Sequence, residues 1–341
     1  MSKENIRVFS GIQPSGNMQL GNYLGAVKGW VEGQGRGVNF FCIVDLHAIT
    51  VRQDPEELRE QTRSLAAMLF ACGIDPSLST LFVQSHVSAH AELAWILNCV
   101  TPVGWLERMT QYKEKARNRE RVSVGLLDYP VLQTGDIVLY DTHEVPVGED
   151  QRQHVELAGD IAERFNRLYG DTFVVPRPVI SRIAAKVMAL NDPMMKMSKS
   201  FAHVRGHAVQ MLDDPGEIER SFKRAVTDSG NEIRFSDDPD KAGVNNLLGI
   251  YQVVTGKAAA EVEADFADAR GYGDLKVRVA EVVIDELAPI RVRHAELMRD
   301  PGELDRLLRI GAESASDFAV PKLDAVKERV GLTSPGRGVL D

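Results

Sequence analysis

Hydrophobic and polar positions in the first half of the chain alternate between two kinds of segment. Short runs rich in β-branched and aromatic residues predict strands at residues 6–12, 38–44, 80–84, 144–147 and 173–175. Between them, apolar residues recur at helical spacing, which predicts helices near residues 20–32, 55–72, 89–112, 130–140 and 149–168. Strands that alternate with helices are typical of an α/β fold in which a parallel sheet is doubly wound.

The second half of the chain has a different pattern. Strand signals stop near Asp192, and the remainder predicts helices separated by Gly, Asp and Pro clusters at residues 236–243 and 299–303. A chain of 341 residues is also longer than one compact core usually supports. We therefore expect an α/β domain over residues 1–191 and a smaller all-helical domain after it.

Composition and charge narrow the class of protein. Hydrophobic residues make up 44% of the chain and charged residues 26%, as in ordinary globular proteins. The net charge of −9 disfavours indiscriminate binding to nucleic acid, so any RNA contact should be local. Residues 113–121 form one basic cluster, which fits either such a contact or a solvated helix end. The amino terminus lacks an apolar signal region and no apolar run could cross a bilayer, so we expect a cytoplasmic protein without membrane contact.

Cysteine and histidine spacing does not predict a metal site. Cys42, Cys72 and Cys99 are widely spaced within apolar runs, so we expect all three to be small buried side chains. The closest histidine pairs, at positions 86 and 90 and at 203 and 207, lack further ligands, which favours solvated or packing roles. His47 follows a predicted strand, where it could be a ligand contact or a core residue.

A glycine-rich turn follows the first predicted strand. It runs through Gln13-Pro14-Ser15-Gly16 and continues to Leu20-Gly21-Asn22 at the start of a helix. Glycines allow a nucleotide to approach the backbone, and the N–H groups at a helix start attract phosphate. Neither GxGxxG nor GxxxxGK[ST] is present, which disfavours a dinucleotide dehydrogenase and a P-loop enzyme. By itself, this turn fits ordinary chain geometry equally well.

A second candidate segment, Lys196-Met197-Ser198-Lys199-Ser200, stands just before the helical half. Two lysines among small hydroxyl residues on an exposed loop could place positive charge on a triphosphate as pyrophosphate leaves. A solvated linker would be the simpler interpretation if this segment stood alone.

Together, these two segments resemble the signature motifs of class I aminoacyl-tRNA synthetases. The first motif of that class ends in HIGH, and the tryptophanyl branch usually has TIGN there. In this chain Gln19 replaces the leading Thr, and Asn22 keeps the last position. Residues 145–154 resemble the VPVGEDQxQH segment of the tryptophanyl branch, and the similarity extends through residues 43–50, 107–115, 125–130, 225–230 and 245–251.

The resemblance implies a set of residues that contact ATP. These residues are Gln13, Pro14, Ser15, Gly21, Asn22, Gly148, Glu149, Asp150, Val187, Lys196, Met197, Ser198, Lys199 and Ser200. Among them, the implied catalytic residues are Gln13, Asn22, Lys196, Ser198 and Lys199. Mg²⁺ would bind through the phosphates of ATP, and we expect no metal site on the protein itself.

The resemblance also implies a pocket for the amino acid, lined by Phe9, His47, Tyr129, Gln133, Asp136, Val145, Val147 and Gln151. Asp136 would select tryptophan because a buried carboxylate can accept the indole N–H. A hydrogen bond to a charged group contributes about 1.5–3 kcal/mol, so phenylalanine would be rejected. Gln133 departs from the Met that is usual in this branch and resembles the tyrosyl enzymes.

The implied reaction joins L-tryptophan and ATP into tryptophanyl-adenylate with release of pyrophosphate, and then transfers tryptophan to tRNA(Trp). By resemblance we expect a homodimer whose residues 192–289 meet the anticodon and whose residues 290–341 pack back on the catalytic domain. Two alternatives remain open at this point. One is a tyrosyl-type synthetase, and the other is a noncatalytic paralogue that senses tryptophan or binds a protein partner.

Overall fold

The fold centres on a parallel sheet of five strands. The computed structural model describes residues 6–110, 112–113, 122–180, 187–197 and 206–333. The strands pair in the order β3-β2-β1-β4-β5 and every pair is parallel; they are β1 (Arg7–Ile12), β2 (Val38–Ile43), β3 (Thr80–Val83), β4 (Glu144–Val147) and β5 (Arg177–Ile180). The strands β2 and β3 follow β1 on one side of it, and β4 and β5 lie on the other side of β1. Such a reversal opens a crevice at the carboxyl ends of β1 and β4, where open α/β sheets bind ligands.

The residues of the central strand β2 face two different cores in alternation. Phe41 and Ile43 pack into a cluster with α4 and with helices of the second half, whereas Phe40 and Cys42 pack into a cluster on the opposite face. Successive side chains of a strand point to opposite faces, so a fully apolar strand covered on both sides is the expected result. The sheet is therefore the middle layer of the molecule.

Helices of the first half connect the strands. They are α1 (Leu20–Asn22), which continues through a wide π-helical turn (Tyr23–Val27) into α2 (Lys28–Gly33), then α3 (Asp45–Ala48), α4 (Pro55–Ala71), α5 (Ala89–Asn98), α6 (Val103–Glu107), α7 (Val124–Val138) and α8 (Arg152–Tyr169). Several begin as their sequences predict. Asp54 accepts from two backbone N–H groups at the start of α4 and is followed by Pro55, a favourable pair of residues for a helix start.

Four predicted boundaries are wrong in informative ways. The fifth strand is Arg177–Ile180 and not residues 173–175, because Phe173 is a buried core residue whose backbone is held by the side chain of Asn166. The predicted helix 89–112 is broken between α5 and α6, next to Pro102. The helix predicted from Pro130 begins earlier, at Val124, and contains that proline. The helix predicted from Glu149 begins with a 3-10 turn before α8.

Within its described residues, the second half of the chain adds helices and no further strand to the sheet. The helices are α9 (Pro215–Lys223), α10 (Ala242–Thr255), α11 (Ala259–Asp265), α12 (Tyr272–Arg299) and α13 (Pro301–Val330). The long helix α12 packs against α9, α10 and α4, and α13 lies against β3 and α5. The approach of α13 is so close that a Cβ on Gly311 would lie 1.8 Å from the carbonyl oxygen of Leu81.

The cysteine prediction holds for two of the three residues. Cys42 and Cys72 are buried, but Cys99 is exposed at the end of α5, so the expectation that it is buried is wrong. None of the helices in the described part of the chain combines the length and apolar character needed to cross a bilayer.

Candidate active site

A pocket opens at the carboxyl end of the sheet, between β1, β4 and α7. Its volume is about 290 Å³. All eight residues predicted for the amino-acid pocket line it: Phe9, His47, Tyr129, Gln133, Asp136, Val145, Val147 and Gln151. It is further lined by Gln13, one of the predicted ATP contacts, and by Ser10, Gly11, Val44, Thr50, Ile137 and Pro146. The structure therefore brings the whole predicted set together.

Local structure explains how three of these side chains share the pocket. Tyr129, Gln133 and Asp136 lie on α7 at spacings of four and three residues, so they project from one face of the helix. Ser123 supports the helix start because its hydroxyl accepts from the N–H of Leu126. From β1 and β4, Phe9, Val145 and Val147 complete an apolar wall.

Asp136 is the centre of a buried hydrogen-bond network. Its side chain is 1% exposed. Gln84 Nε2 donates to Asp136 Oδ1 at 2.6 Å, His90 Nδ1 lies 2.7 Å from the same oxygen, and His47 Nε2 lies 2.8 Å from Oδ2. A carboxylate has about four acceptor directions, so these three partners leave room for about one more.

The network holds Asp136 in its charged form. Burial alone would raise the pKa of Asp136, but hydrogen bonds from His47 and His90 outweigh burial and lower that pKa below its usual range. His90 is fixed in turn by Tyr140, whose hydroxyl lies 2.8 Å from His90 Nε2. The site thus presents a pre-oriented negative charge at the edge of a pocket that combines an apolar wall from β1 and β4 with polar side chains from α7.

Gln84 and His90 contact Asp136, and the sequence interpretation predicted neither contact. Gln84 directly follows β3, and a residue just after a parallel strand is a candidate ligand contact, so a signal for it did exist. His90 was expected to be a solvated or packing histidine, and it is a packing one, fully buried against Asp136. His47 is buried like a core residue, and it also lines the pocket and contacts the same carboxylate.

Tyr129 closes the pocket beside His47. Its hydroxyl lies 2.9 Å from Nε2 of His154, which is buried on α8. Burial raises the pKa of Tyr129 to about 12, so the phenol is neutral at physiological pH. Tyr129 can therefore act as a rigid amphipathic wall next to the charged Asp136.

The glycine-rich turn and the 187–197 segment converge beside this pocket. Residues Val187 and Met197 face each other in a hairpin, where Met197 N–H donates to Val187 C=O at 3.1 Å. Met197 is buried and packs over Gly21, because a Cβ on Gly21 would lie 3.3 Å from Met197 Cβ. Lys196 is exposed next to this contact. The two signature segments are therefore in direct contact through Gly21 and Met197.

The start of α1 is anchored from the second half of the chain. Leu20 N–H donates to Val209 C=O at 2.9 Å, and Asn22 Oδ1 accepts from Gln19 N–H at 3.3 Å. Upstream, Ser15 N–H donates to Gln13 C=O at 2.9 Å and Gly16 adopts a positive φ of 63°. Glycine adopts that conformation without strain, which allows a tight turn at this place. Gln13, at the start of the turn, is exposed.

The Gly148–Asp150 segment lies just after β4 and is exposed. A Cβ on Gly148 would lie 2.7 Å from Asp150 Oδ1. Any other residue at position 148 would therefore require the Asp150 side chain to move. Gln151 Nε2 donates to Asp150 Oδ2 at 3.0 Å, and Arg152 makes a two-pronged ion pair with Glu149. Ser198, Lys199 and Ser200 lie outside the described residues, as does most of the basic cluster at residues 113–121.

Comparison with known proteins adds an independent line of observation. The sequence model of the family described as tRNA synthetases class I (W and Y) matches residues 1–288. A tryptophan–tRNA ligase from Wolinella succinogenes is 52% identical over 96% of this chain and 98% of its own length. The similar sequences near 50% identity are named as tryptophan enzymes, which favours that branch over the tyrosyl alternative.

Solved structures agree in fold. A tryptophanyl-tRNA synthetase from Mycoplasma pneumoniae superimposes with a TM-score of 0.87 at 32% identity, covering 97% of this chain and 99% of that one. The Campylobacter jejuni enzyme, solved in complex with ADP and tryptophan, gives a TM-score of 0.83 at 33% identity and covers 96% of this chain and all of its own. With the pocket, the two signature segments and these similarities in place, the chain belongs to the W and Y family of class I tRNA synthetases, among the tryptophan–tRNA ligases.

Proposed function

We propose that the pocket beside Asp136 holds the indole of tryptophan while ATP lies along the Gly21–Met197 contact. The observation that carries this assignment is the carboxylate of Asp136, which is fixed by three partners and keeps about one acceptor direction for the indole N–H. In the structural relative from Campylobacter jejuni, ADP and tryptophan are bound in one enzyme. We infer the same pair of ligands here.

The chemical step follows from this arrangement. The tryptophan carboxylate attacks the α-phosphorus of ATP in line, a P–O bond to the carboxylate forms, and the bond to pyrophosphate breaks. The protein contributes orientation and charge stabilisation because no group on it needs to become covalently bound. A hydroxyl of the terminal ribose of tRNA(Trp) then attacks the carbonyl carbon of the adenylate, an ester bond to tryptophan forms, and AMP leaves.

Each predicted ATP contact has a role in this proposal. The phosphates of ATP would contact the glycine-rich turn, at Gln13, Pro14, Ser15, Gly21 and Asn22. The adenosine would lie against Gly148, Glu149, Asp150 and Val187. Lys196, Met197, Ser198, Lys199 and Ser200 would cover the triphosphate, with the two lysines neutralising charge as pyrophosphate leaves. The exposed position of Gly148–Asp150 just after β4 supports the adenosine part, since a glycine lets the ribose approach the backbone and a carboxylate accepts from its hydroxyls.

Mg²⁺ enters this proposal with the nucleotide. We assign Mg²⁺ to the phosphate oxygens of ATP, because this ion is commonly bound through substrate phosphates and keeps several of its waters.

Substitution of the lysines tests the proposed site. Lys196→Ala or Lys199→Ala is expected to lower tryptophan-dependent pyrophosphate exchange by about 10²-fold, because each removes a cation aimed at the leaving phosphates. Melting temperatures should stay close to wild type, since Lys196 is exposed. Near-normal exchange in both variants would contradict the assignment. Wild type that shows neither exchange nor charging of tRNA(Trp) would instead favour the noncatalytic paralogue.

The assembly and cellular setting also belong to the proposal. Trp95 is 70% exposed and Val124 is 80% exposed, although both are large and apolar. Trp95 lies on α5 and Val124 begins α7. The two helices are neighbours, as the hydrogen bond from Asn98 on α5 to Asp128 on α7 shows. Each of these two residues is about one helical turn from the exposed side chain on its own helix. A second copy of the chain would cover this face, which supports a homodimer.

The remaining parts of the proposal follow from the tRNA substrate. Residues 1–191 would form the catalytic domain, residues 192–289 would meet the anticodon, and residues 290–341 would pack back on the catalytic domain. The contact of α13 with β3 supports that last part. A tRNA substrate is consumed in translation, so we assign the protein to the cytoplasm.

A further inference from the structure

Two adjacent asparagines on α10 each hydrogen-bond the backbone of one residue outside the helix. The Asn246 side chain accepts from Met188 N–H at 2.9 Å through Oδ1 and donates to Met188 C=O at 3.0 Å through Nδ2. Asn245 does the same to Ser236, with distances of 3.1 and 2.6 Å. Each amide satisfies both backbone polar groups of one residue, as a neighbouring strand would.

Met188 needs such a partner because of its place in the 187–197 hairpin. The hairpin bonds run between Met197 N–H and Val187 C=O and between Ala189 N–H and Met195 C=O, on either side of the bridged pair Met188 and Lys196. In this antiparallel pattern the N–H and C=O groups of Met188 point away from Lys196, toward the outer edge. Asn246 occupies that edge.

Burial makes this contact costly to lose. Asn246 is 8% exposed, and its neighbours Leu247 and Leu248 pack in the same core as Val187 and Met197. A buried backbone group that loses its partner keeps its desolvation cost, so the hairpin edge would move to regain hydrogen bonds. Any such movement is transmitted to Lys196, which is bridged to Met188, and to Met197, which packs on Gly21.

We propose that Asn246 is a positioning residue for adenylate formation, which sets the place of Lys196 relative to the Gly21-Asn22 turn by holding the outer edge of Met188. This inference rests on the proposed role of Lys196 at the ATP phosphates. Asn246 is not among the residues that line the tryptophan pocket. It acts through the hairpin backbone.

Asn245 supplies a matched control on the same helix. Asn246→Ala is expected to lower kcat for pyrophosphate exchange by about 10- to 100-fold, because small misplacements of a catalytic group have effects of that size. The KM for tryptophan should change by less than about twofold, since its pocket is built by β1, β4 and α7. Asn245→Ala removes the same kind of contact from Ser236 and is expected to leave kcat near wild type. Equal kcat values for the two variants would overturn the proposal.

A double substitution separates positioning from general destabilisation. If Asn246 acts through Lys196, adding Asn246→Ala to Lys196→Ala should lower kcat by less than about twofold further, because the group being positioned is already absent. If Asn246→Ala lowers kcat as much in the Lys196→Ala protein as it does in wild type, the inference is overturned. Near-normal exchange by Lys196→Ala would overturn this inference, and near-normal exchange by Lys199→Ala as well would contradict the proposed function. If Lys196→Ala loses exchange activity as expected but Asn246→Ala keeps the wild-type kcat, the inference is overturned and the proposed function stands.

A milder variant covers the case in which Asn246→Ala does not fold. Asn246→Ser buries no charge and keeps a hydroxyl that can hydrogen-bond one of the two backbone groups of Met188, but not both. With melting temperature measured alongside, it is expected to show a smaller loss of kcat with the KM for tryptophan unchanged. Wild-type kcat in a folded Asn246→Ser protein would overturn the inference.

Discussion

Asp136 shows how much a single residue depends on distant parts of the chain. The sequence resemblance is enough to nominate Asp136 and the seven other pocket residues, and the structure places them around one cavity. It does not nominate Gln84 or His90, which reach the carboxylate from the segment after β3 and from α5, the helix that packs beside α7. Local sequence patterns carry periodicity along one element, and they do not record which elements meet.

The charge of Asp136 makes stability depend on pH in a defined direction. Because its pKa is lowered in the folded protein, the charged group stabilises the fold above its unfolded pKa of about 3.9 and this contribution is lost as the pH falls. The free energy of unfolding of wild type relative to Asp136→Asn should therefore shrink below about pH 4. Urea unfolding between pH 5 and pH 3 measures this difference.

Asp128 on the same helix provides a control of opposite sign. Burial raises the pKa of Asp128, partly offset by the hydrogen bond from Asn98. A raised carboxyl pKa favours the protonated form in the fold, so the stability of wild type relative to Asp128→Asn should increase as the pH falls.

The outcome that would argue against a charged Asp136 concerns the first pair of proteins. It is a difference in the free energy of unfolding between wild type and Asp136→Asn that stays constant from pH 5 to pH 3.

At the scale of elements, the boundaries show which sequence signals were misleading. The first four strands were predicted to within a residue or so, because their apolar runs coincide with buried strands. The fifth strand was missed because it contains Pro178, which weakens a strand signal. Proline is tolerated there since β5 pairs only with β4 and forms the edge of the sheet. The nearby aromatic Phe173 gave a false strand signal, since its partners are the side chains of Phe165 and Asn166.

The contact between α1 and the 187–197 hairpin can be tested with one methyl group. Gly21→Ala would place a Cβ 3.3 Å from Met197 Cβ, so Met197 and the adjoining Lys196 must shift by a few tenths of an ångström. We expect kcat for pyrophosphate exchange to fall by about tenfold, with little change in the KM for tryptophan. Stopped-flow or exchange kinetics with varied ATP and tryptophan provide the measurement.

Gly29→Ala is the matched change in α2. Its Cβ would meet nothing within 4 Å, so we expect unchanged kcat and a gain in stability of about 0.5–1 kcal/mol from the better helix former. If Gly21→Ala is as active as Gly29→Ala, the Gly21–Met197 contact does not position the phosphate site.

At the scale of the whole molecule, the order of an α/β half followed by a helical half could be predicted, because the periodicity changes near Asp192. The return of α13 to the edge of β3 was expected only from the resemblance. It depends on Gly311, where the absence of a side chain lets the helix touch the backbone of Leu81. That complementarity between two distant segments leaves no periodic signal in the sequence.

The exposed face around Trp95 leads to an expectation about assembly. We expect the wild-type protein to sediment as a dimer at micromolar concentration, and Trp95→Lys to shift it toward the monomer by placing charge in an apolar contact. Leu168→Lys is the control, since Leu168 is 51% exposed on a different helix. Sedimentation velocity distinguishes the two states. A monomeric wild type, or equal dissociation of both variants, would contradict the assignment of this face.

The central claim is that Asp136 reads the indole N–H, and a substrate without that group tests it most directly. Pyrophosphate exchange should be measured with L-tryptophan and with L-3-(benzothiophen-3-yl)alanine, which has a similar shape and a sulfur in place of N–H. For wild type we expect kcat/KM to be lower for the analogue by about 10- to 100-fold, the equivalent of one hydrogen bond to a charged group. In Asp136→Ala, which leaves no acceptor at this position, the preference should largely disappear. Equal kcat/KM for the two substrates in wild type, or an unchanged preference in the variant, would contradict the account.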